Sequence, residues 1–231
     1  MEERLVDLAD GRQAHLVFTD VSDGDLAIGL AGPDLDDRRA SIAPTPWTWL
    51  SQVHGTHTVV VSAAGEHAGT EADAAVTVAS DVPLAVHTAD CAPIAVVADG
   101  GGVAVIHAGW KGLLDGVVKR AVGELDALVG GPRAAVLGPC IHPECYEFSE
   151  FDLAAIEHRF GPVVRGRTSA GQPALDLPAA VAVALGEVGV PLASSSPACT
   201  ACGGSWFSHR ARGESGRQAL VAWIAPGGAG T

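Results

Sequence analysis

Apolar and polar positions follow two rhythms along the chain. From Thr58 onward, short β-branched runs are separated by turn residues: Thr58 to Val61, Ala74 to Val78, Pro83 to His87, Pro93 to Val97 and Val103 to Ile106. Runs of this length bounded by Gly, Pro and Asp predict strands. Asp99-Gly100-Gly101-Gly102 joins two of them, and glycine's tolerance of positive φ predicts a hairpin there. Between Gly112 and Val129 the rhythm changes, with Leu113, Leu114, Val117, Val118, Ala121, Val122, Leu125 and Leu128 falling at the three-four spacing of an amphipathic helix. Ser149 can cap a second helix from about Phe151 to Phe160, and Pro178 suits the first turn of a third ending near Gly189. Ala134 to Leu137 and Ala219 to Ile224 read as further strands. Only Gly32 to Pro46, with its charges at Asp34, Asp36, Asp37, Arg38 and Arg39, resembles a linker, and it is too short to separate one domain from another. The pattern is a mixed α/β or α+β one, with strands outnumbering helices.

Composition narrows the class. At 231 residues, 48% hydrophobic and 18% charged, the chain fits one domain, residues 1–231, and is too apolar for disorder. Its net charge of −13 would repel a phosphate backbone, so nucleic acid and anionic membranes are excluded as expected partners. The Ala/Val-rich stretch from Leu175 to Leu192 is interrupted by Asp176, Pro178 and Glu187, so no membrane span is expected. Met1-Glu2-Glu3-Arg4-Leu5 lacks the features of a secretory signal. Five Cys without an export signal read as reduced thiols, suited to metal binding or catalysis in the cytoplasm.

Three segments bring a metal ligand or nucleophile to the end of a predicted strand: Ser51-Gln52-Val53-His54-Gly55, Thr88-Ala89-Asp90-Cys91, and Ile106-His107-Ala108-Gly109-Trp110-Lys111-Gly112. Taken singly, each residue has an ordinary packing role. Together they describe a site assembled by the fold, since 37 residues separate His54 from Cys91 and 16 separate Cys91 from His107, too far for a compact zinc finger. Two imidazoles and one thiolate leave a tetrahedral zinc with an open fourth place, as catalytic zinc requires.

The segments Gln52-Val53-His54-Gly55, Thr88-Ala89-Asp90-Cys91, His107-Ala108-Gly109-Trp110-Lys111-Gly112, Leu137-Gly138-Pro139-Cys140-Ile141 and Ser208-His209-Arg210 resemble, in this order, those of the YfiH/PgeF family. The likeness runs from about Trp47 to Ile224, residues 47–224. Members are described as multicopper polyphenol oxidase (laccase-like), as peptidoglycan editing factor, and as purine nucleoside phosphorylase with adenosine deaminase activity. The resemblance implies an α+β four-layer α/β/β/α sandwich with mixed sheets, and it implies His54, Cys91 and His107 as the zinc ligands. There are departures. The family's N-terminal Thr-Arg-x-Gly-Gly-Val-Ser is replaced by Phe18-Thr19-Asp20-Val21-Ser22-Asp23-Gly24-Asp25, without Arg. Lys111 stands for the usual Arg after Trp110, and His142 stands where Gly is common, adding an imidazole near the expected site.

The leading expectation is therefore a zinc-dependent enzyme acting on purine nucleosides, by phosphorolysis, by deamination of adenosine, or both. Cys91 and His107 carry the chemistry, with Asp90 as the candidate acid. Gln52, Lys111 and Arg210 are the candidate substrate-binding residues, Lys111 and Arg210 being the cations available for phosphate. Competing expectations are a Cys91/His107 hydrolase or amidase acting on peptidoglycan precursors, a copper-dependent polyphenol oxidase, and a binding module that has lost its chemistry. Copper fits less well than zinc, because nine scattered His do not supply a multicopper pattern. Trp110 and Trp206 are candidates for stacking on a base, the cluster Arg210, Arg212 and Arg217 could attract phosphate, and His57, His67, His87 and His158 read as surface or packing residues. Cys199-Thr200-Ala201-Cys202 has the spacing of a zinc knuckle or redox pair, with Cys140 and Cys145 as a second half.

Overall fold

In a strand, successive side chains face opposite ways, so a strand whose every residue is buried must be covered on both faces. The computed structural model describes residues 1–27, 32–43, 45–131 and 133–227, and four consecutive strands of it are of that kind. In chain order the strands are β1 (Glu2–Asp7), β2 (Gln13–Phe18), β3 (Thr48–Ser51), β4 (Thr58–Val60), β5 (Thr70–Glu71), β6 (Ala74–Thr77), β7 (Leu84–Thr88), β8 (Ala92–Ala98), β9 (Gly102–Ala108), β10 (Arg133–Leu137), β11 (Arg165–Arg167), β12 (Pro173–Leu175), β13 (Leu192–Ser195) and β14 (Gln218–Ile224). The helices are α1 (Pro33–Ile42), α2 (Trp110–Asp115), α3 (Val117–Leu128), α4 (Glu150–Phe160), α5 (Leu177–Glu187) and α6 (His209–Arg212). One six-stranded sheet has the order β1-β2-β14-β7-β3-β5, the other β13-β10-β8-β9-β6-β4, and β11 and β12 form a separate ribbon. Both large sheets are mixed, since β3 runs parallel to both β7 and β5, β4 to β6 and β10 to β13 among otherwise antiparallel pairs.

The alternation assigns each face. Val103 and Val105 of β9 meet Leu84, Val86, Leu220 and Leu16 in a core between the two sheets. Ala104 and Ile106 of the same strand face away, into a core with Val117, Leu125, Leu153 and Leu185 of α3, α4 and α5. On the far side of the first sheet, Val17, Ala85 and Val221 pack with Leu35 of α1 and with Trp47. The layers are thus helix, sheet, sheet, helices, the α+β sandwich with mixed sheets that the family resemblance implies.

Two sequence expectations are corrected. The helix expected from Gly112 to Val129 is two helices, because Gly116 adopts the left-handed conformation (φ 93°) between α2 and α3. The linker-like stretch contains α1, a helix that buries only Leu35, exposes its aspartates and half-buries Arg38 and Arg39, so it carries almost no apolar periodicity to read. Ser149 does cap α4, accepting the Asp152 N–H, and Pro178 lies in the first turn of α5.

Candidate metal centre and cavity

The chain passes from the first sheet to the second three times in quick order: from β3 to β4, from β5 to β6, and from β7 to β8. Those crossings carry His54, Asp73 and Cys91 respectively. The return crossing, from β13 to β14, carries residues 196–217 past the same region. A site at the seam between the sheets follows directly, and β9 completes it with His107, its penultimate residue.

One donor atom from each of His54, Cys91 and His107 lies within 4.8 Å of the others. Cys91 Sγ is 3.7 Å from His54 Nε2, and the two imidazole rings meet edge to face with centroids 4.8 Å apart. Beneath them sits Asp73, which is fully buried. Its Oδ1 accepts from His107 Nδ1 at 2.8 Å and from the His54 N–H at 2.9 Å, and its Oδ2 accepts from the Gly55 N–H at 2.7 Å. Fixing the proton on His107 Nδ1 leaves Nε2 free to ligate, the carboxylate–histidine arrangement by which proteins orient metal-binding imidazoles. His54 has a left-handed backbone (φ 61°), a conformation that costs a non-glycine residue about 1 to 3 kcal/mol and persists only where its surroundings impose it. Here the Asp73 carboxylate imposes it. Gly109 must lack a side chain, because a Cβ there would stand 2.6 Å from His54 Cδ2 and 3.3 Å from Cys91 Sγ.

The electrostatics suit an ionised thiol. Burial opposes a charged Cys91, but the His107 imidazole beside it and hydrogen bonds from His107 and His54 outweigh that and draw the thiol below its ordinary range. His107 moves the opposite way: burial works against its charge, yet the Cys91 sulfur and Asp73 raise it. Asp73 likewise stays ionised, since the His107 and backbone donors overcome the penalty of burial. A divalent cation that replaces the His107 proton would meet a preformed thiolate and a carboxylate-braced imidazole, so the donor set fits a zinc ion with three protein ligands.

The three donors open on a cavity of about 660 Å³, lined among others by Gln52, His87, Asp90, Tyr146, Arg210 and Arg217, a size that holds a small organic ligand. Gln52 extends the β3–β7 pairing of the first sheet as a surrogate for backbone, donating to the His87 carbonyl and accepting the His87 N–H, both at 2.7 Å. Asp90, with φ 98°, accepts from Thr200 Oγ1 and from the Arg210 N–H, each at 2.7 Å. Both carboxylate oxygens are therefore engaged as acceptors. Arg210 lies over the Tyr146 ring at 4.8 Å and donates to the Glu147 carbonyl.

Several expected residues sit elsewhere. Lys111 is exposed on the first turn of α2, 5.5 Å from the Trp110 ring, and does not line the cavity; four residues after His107 the chain has already left β9 and turned at Gly109. Arg217 lines the cavity instead, with its Nη1 donating to the backbone carbonyls of Glu214, Ser215 and Gly216. Trp110 packs against Phe148 at 5.4 Å, and Tyr146 takes the aromatic place in the wall. Arg212 is turned toward backbone carbonyls of Ala201, Gly203 and Trp206. His142 lies beside Cys199, with its N–H 3.4 Å from that sulfur. His87, read as a packing residue, is buried in the cavity wall with neither ring nitrogen hydrogen-bonded, and burial first, then Arg39 and His107, lowers it to about 3. Asp73 is the member of the site that sequence reasoning misses; its only signal is an acid closing the turn before a short strand, Ala74–Thr77, that is buried throughout.

Residues 35–225 match the family described as multi-copper polyphenol oxidoreductase laccase. A Streptomyces coelicolor protein named purine nucleoside phosphorylase is 36% identical over 201 residues, covering 84% of this chain and 81% of that one. A Streptomyces griseus protein of the same name is 37% identical, covering 91% and 94%. The crystal structure of YlmD from Geobacillus stearothermophilus superposes with a TM-score of 0.79 at 27% identity, over 94% of this chain and 93% of that one.

Proposed function

This chain belongs to the multi-copper polyphenol oxidoreductase laccase family, and from its site we propose that it is a zinc-dependent purine nucleoside phosphorylase that also deaminates adenosine. The observation that carries the reading is the convergence of His54, Cys91 and His107, braced by Asp73, on a cavity that Arg210 and Arg217 also line. The names of the Streptomyces relatives support the same substrate class. Zinc fits better than a multicopper arrangement. Among the described residues the other cluster of metal-binding side chains is made of cysteines, and the sole Met, Met1, lies at the exposed start of the chain, so neither a His-rich copper cluster nor a blue-copper axial Met is at hand.

Each residue then has a task. A zinc ion held by His54, Cys91 and His107 supplies Lewis-acid chemistry. Arg210 and Arg217 hold phosphate. A phosphate oxygen bonds to the anomeric carbon of the nucleoside as the bond to the base breaks, and the electron pair leaves with the purine, which takes up the proton that the hydrogen phosphate gives up. Tyr146 and the neutral His87 face the nucleoside. Asp90 is a positioning residue that holds Arg210 and the Thr200 turn, and Gln52 fixes His87 by closing the end of the β3–β7 pairing. Deamination replaces the 6-amino group by an oxygen from water and releases ammonia, at the same site and without phosphate. The Cys91–His107 pairing also suits a thiolate nucleophile, but one sulfur cannot ligate zinc and attack a substrate at once.

The test compares two cations. Arg210→Gln raises the phosphate KM about ten- to hundredfold, the loss of one charge-assisted contact of about 1.5 to 3 kcal/mol, with zinc content unchanged and deamination less affected. Lys111→Ala leaves the phosphate KM near wild type. A Lys111→Ala defect equal to that of Arg210→Gln contradicts the assignment, and rapid alkylation of Cys91 in metal-free wild type favours the thiolate hydrolase.

A further inference from the structure

A second group of soft ligands stands apart from the centre just described. Cys145 closes the short helical turn Pro143–Cys145, and Cys199 and Cys202 frame a turn after β13. One sulfur from each lies within 4.8 Å of the other two, and Cys145 Sγ is 3.3 Å from Cys202 Sγ. Cys199 is buried and its sulfur accepts the His142 N–H at 3.4 Å; Cys202 is exposed, 3.4 Å from Glu144 Oε1. His142 Nε2 is buried without a hydrogen-bond partner. Three thiols converging at a partly wet corner satisfy no packing need, whereas a two-residue gap between Cys199 and Cys202, a third sulfur from a separate loop and an N–H donated to one sulfur are what a thiolate metal site requires.

We propose that Cys145, Cys199 and Cys202 bind a second zinc ion, structural in role, with its fourth place on the side of Glu144 and His142. Binding releases the thiol protons to solvent. The ion would staple the loop after β10 to the crossing from β13 to β14, two segments otherwise joined here by an isolated bridge between Cys140 and Cys199. The consequence reaches the cavity, because the stapled turn holds Thr200, which bonds Asp90, while the other loop continues into Tyr146. None of this depends on the phosphorylase reading.

The test equilibrates wild type, Cys91→Ser and the Cys145→Ser/Cys202→Ser double variant with zinc, removes the excess, and counts metal per chain. One equivalent is expected to survive Cys91→Ser and to vanish in the double variant. Labelling of native wild-type protein needs no variant: Cys145 and Cys202 should resist a thiol reagent until a chelator is added. Immediate labelling of Cys202 in zinc-equilibrated protein, an equivalent count that depends on Cys91 alone, or a Cys145–Cys202 disulfide in freshly prepared protein each overturns the proposal.

Discussion

Asp73 gathers donors from Gly55, His54 and His107 in a place no water reaches, so its charge and its shape both matter. Asp73→Asn keeps the volume but turns one of two acceptor oxygens into an NH2 donor, so either His107 Nδ1 and the His54 N–H or the Gly55 N–H loses its acceptor, and the imidazole is no longer held in one tautomer. Zinc affinity measured against a competing chelator should fall about ten- to hundredfold, the usual effect of removing such a partner, while the variant remains folded by circular dichroism. Unchanged affinity would mean that Asp73 serves the backbone of the 53–55 turn alone. The same residues separate what is legible in the sequence from what is hidden. His54, Cys91 and His107 are legible because glycine-rich motifs at strand ends mark them. Lys111 misleads because adjacency along the chain is not adjacency in space, and the β9-to-α2 corner turns it outward.

Among the elements, α2 and α3 illustrate how a single backbone angle outweighs periodicity. The apolar spacing runs unbroken through Gly116, yet that residue is left-handed and ends one helix while starting the next. Gly116→Ala meets no steric obstacle, so its cost is conformational, about 1 to 2 kcal/mol. Gly123, in the exposed middle of α3 with equally open surroundings, should behave oppositely, and Gly123→Ala should stabilise by about 0.5 to 1 kcal/mol. Denaturant midpoints shifting in the same direction for both would refute this account of the helix break. The strands of the second sheet are readable because β6, β8 and β9 are buried at every position. By contrast β1, with Glu2, Glu3 and Arg4 on an edge and three residues exposed and alternating with half-buried ones after the first, offers no apolar run, and α1 buries one side chain.

At the level of the whole molecule, the site is a product of topology: separate crossings between two stacked sheets deliver His54, Asp73 and Cys91 to one seam, and the return crossing brings Arg210 and Arg217 to the cavity above it. No segment of the chain contains that site, which is why motif spacing can name its ligands but not the carboxylate beneath them or the full set of cations around them. The net charge of −13 belongs to the same picture, since an acidic surface that repels phosphate makes capture depend on cations placed at the cavity itself. The most direct measurement is product analysis of wild type and Cys91→Ser with inosine, in the presence and absence of phosphate, alongside zinc content. Zinc-loaded wild type should give hypoxanthine and ribose 1-phosphate in equal amounts, only when phosphate is present, and Cys91→Ser should give neither product. Base release that is independent of phosphate, or undiminished phosphorolysis in Cys91→Ser, would contradict the zinc-dependent phosphorylase assignment.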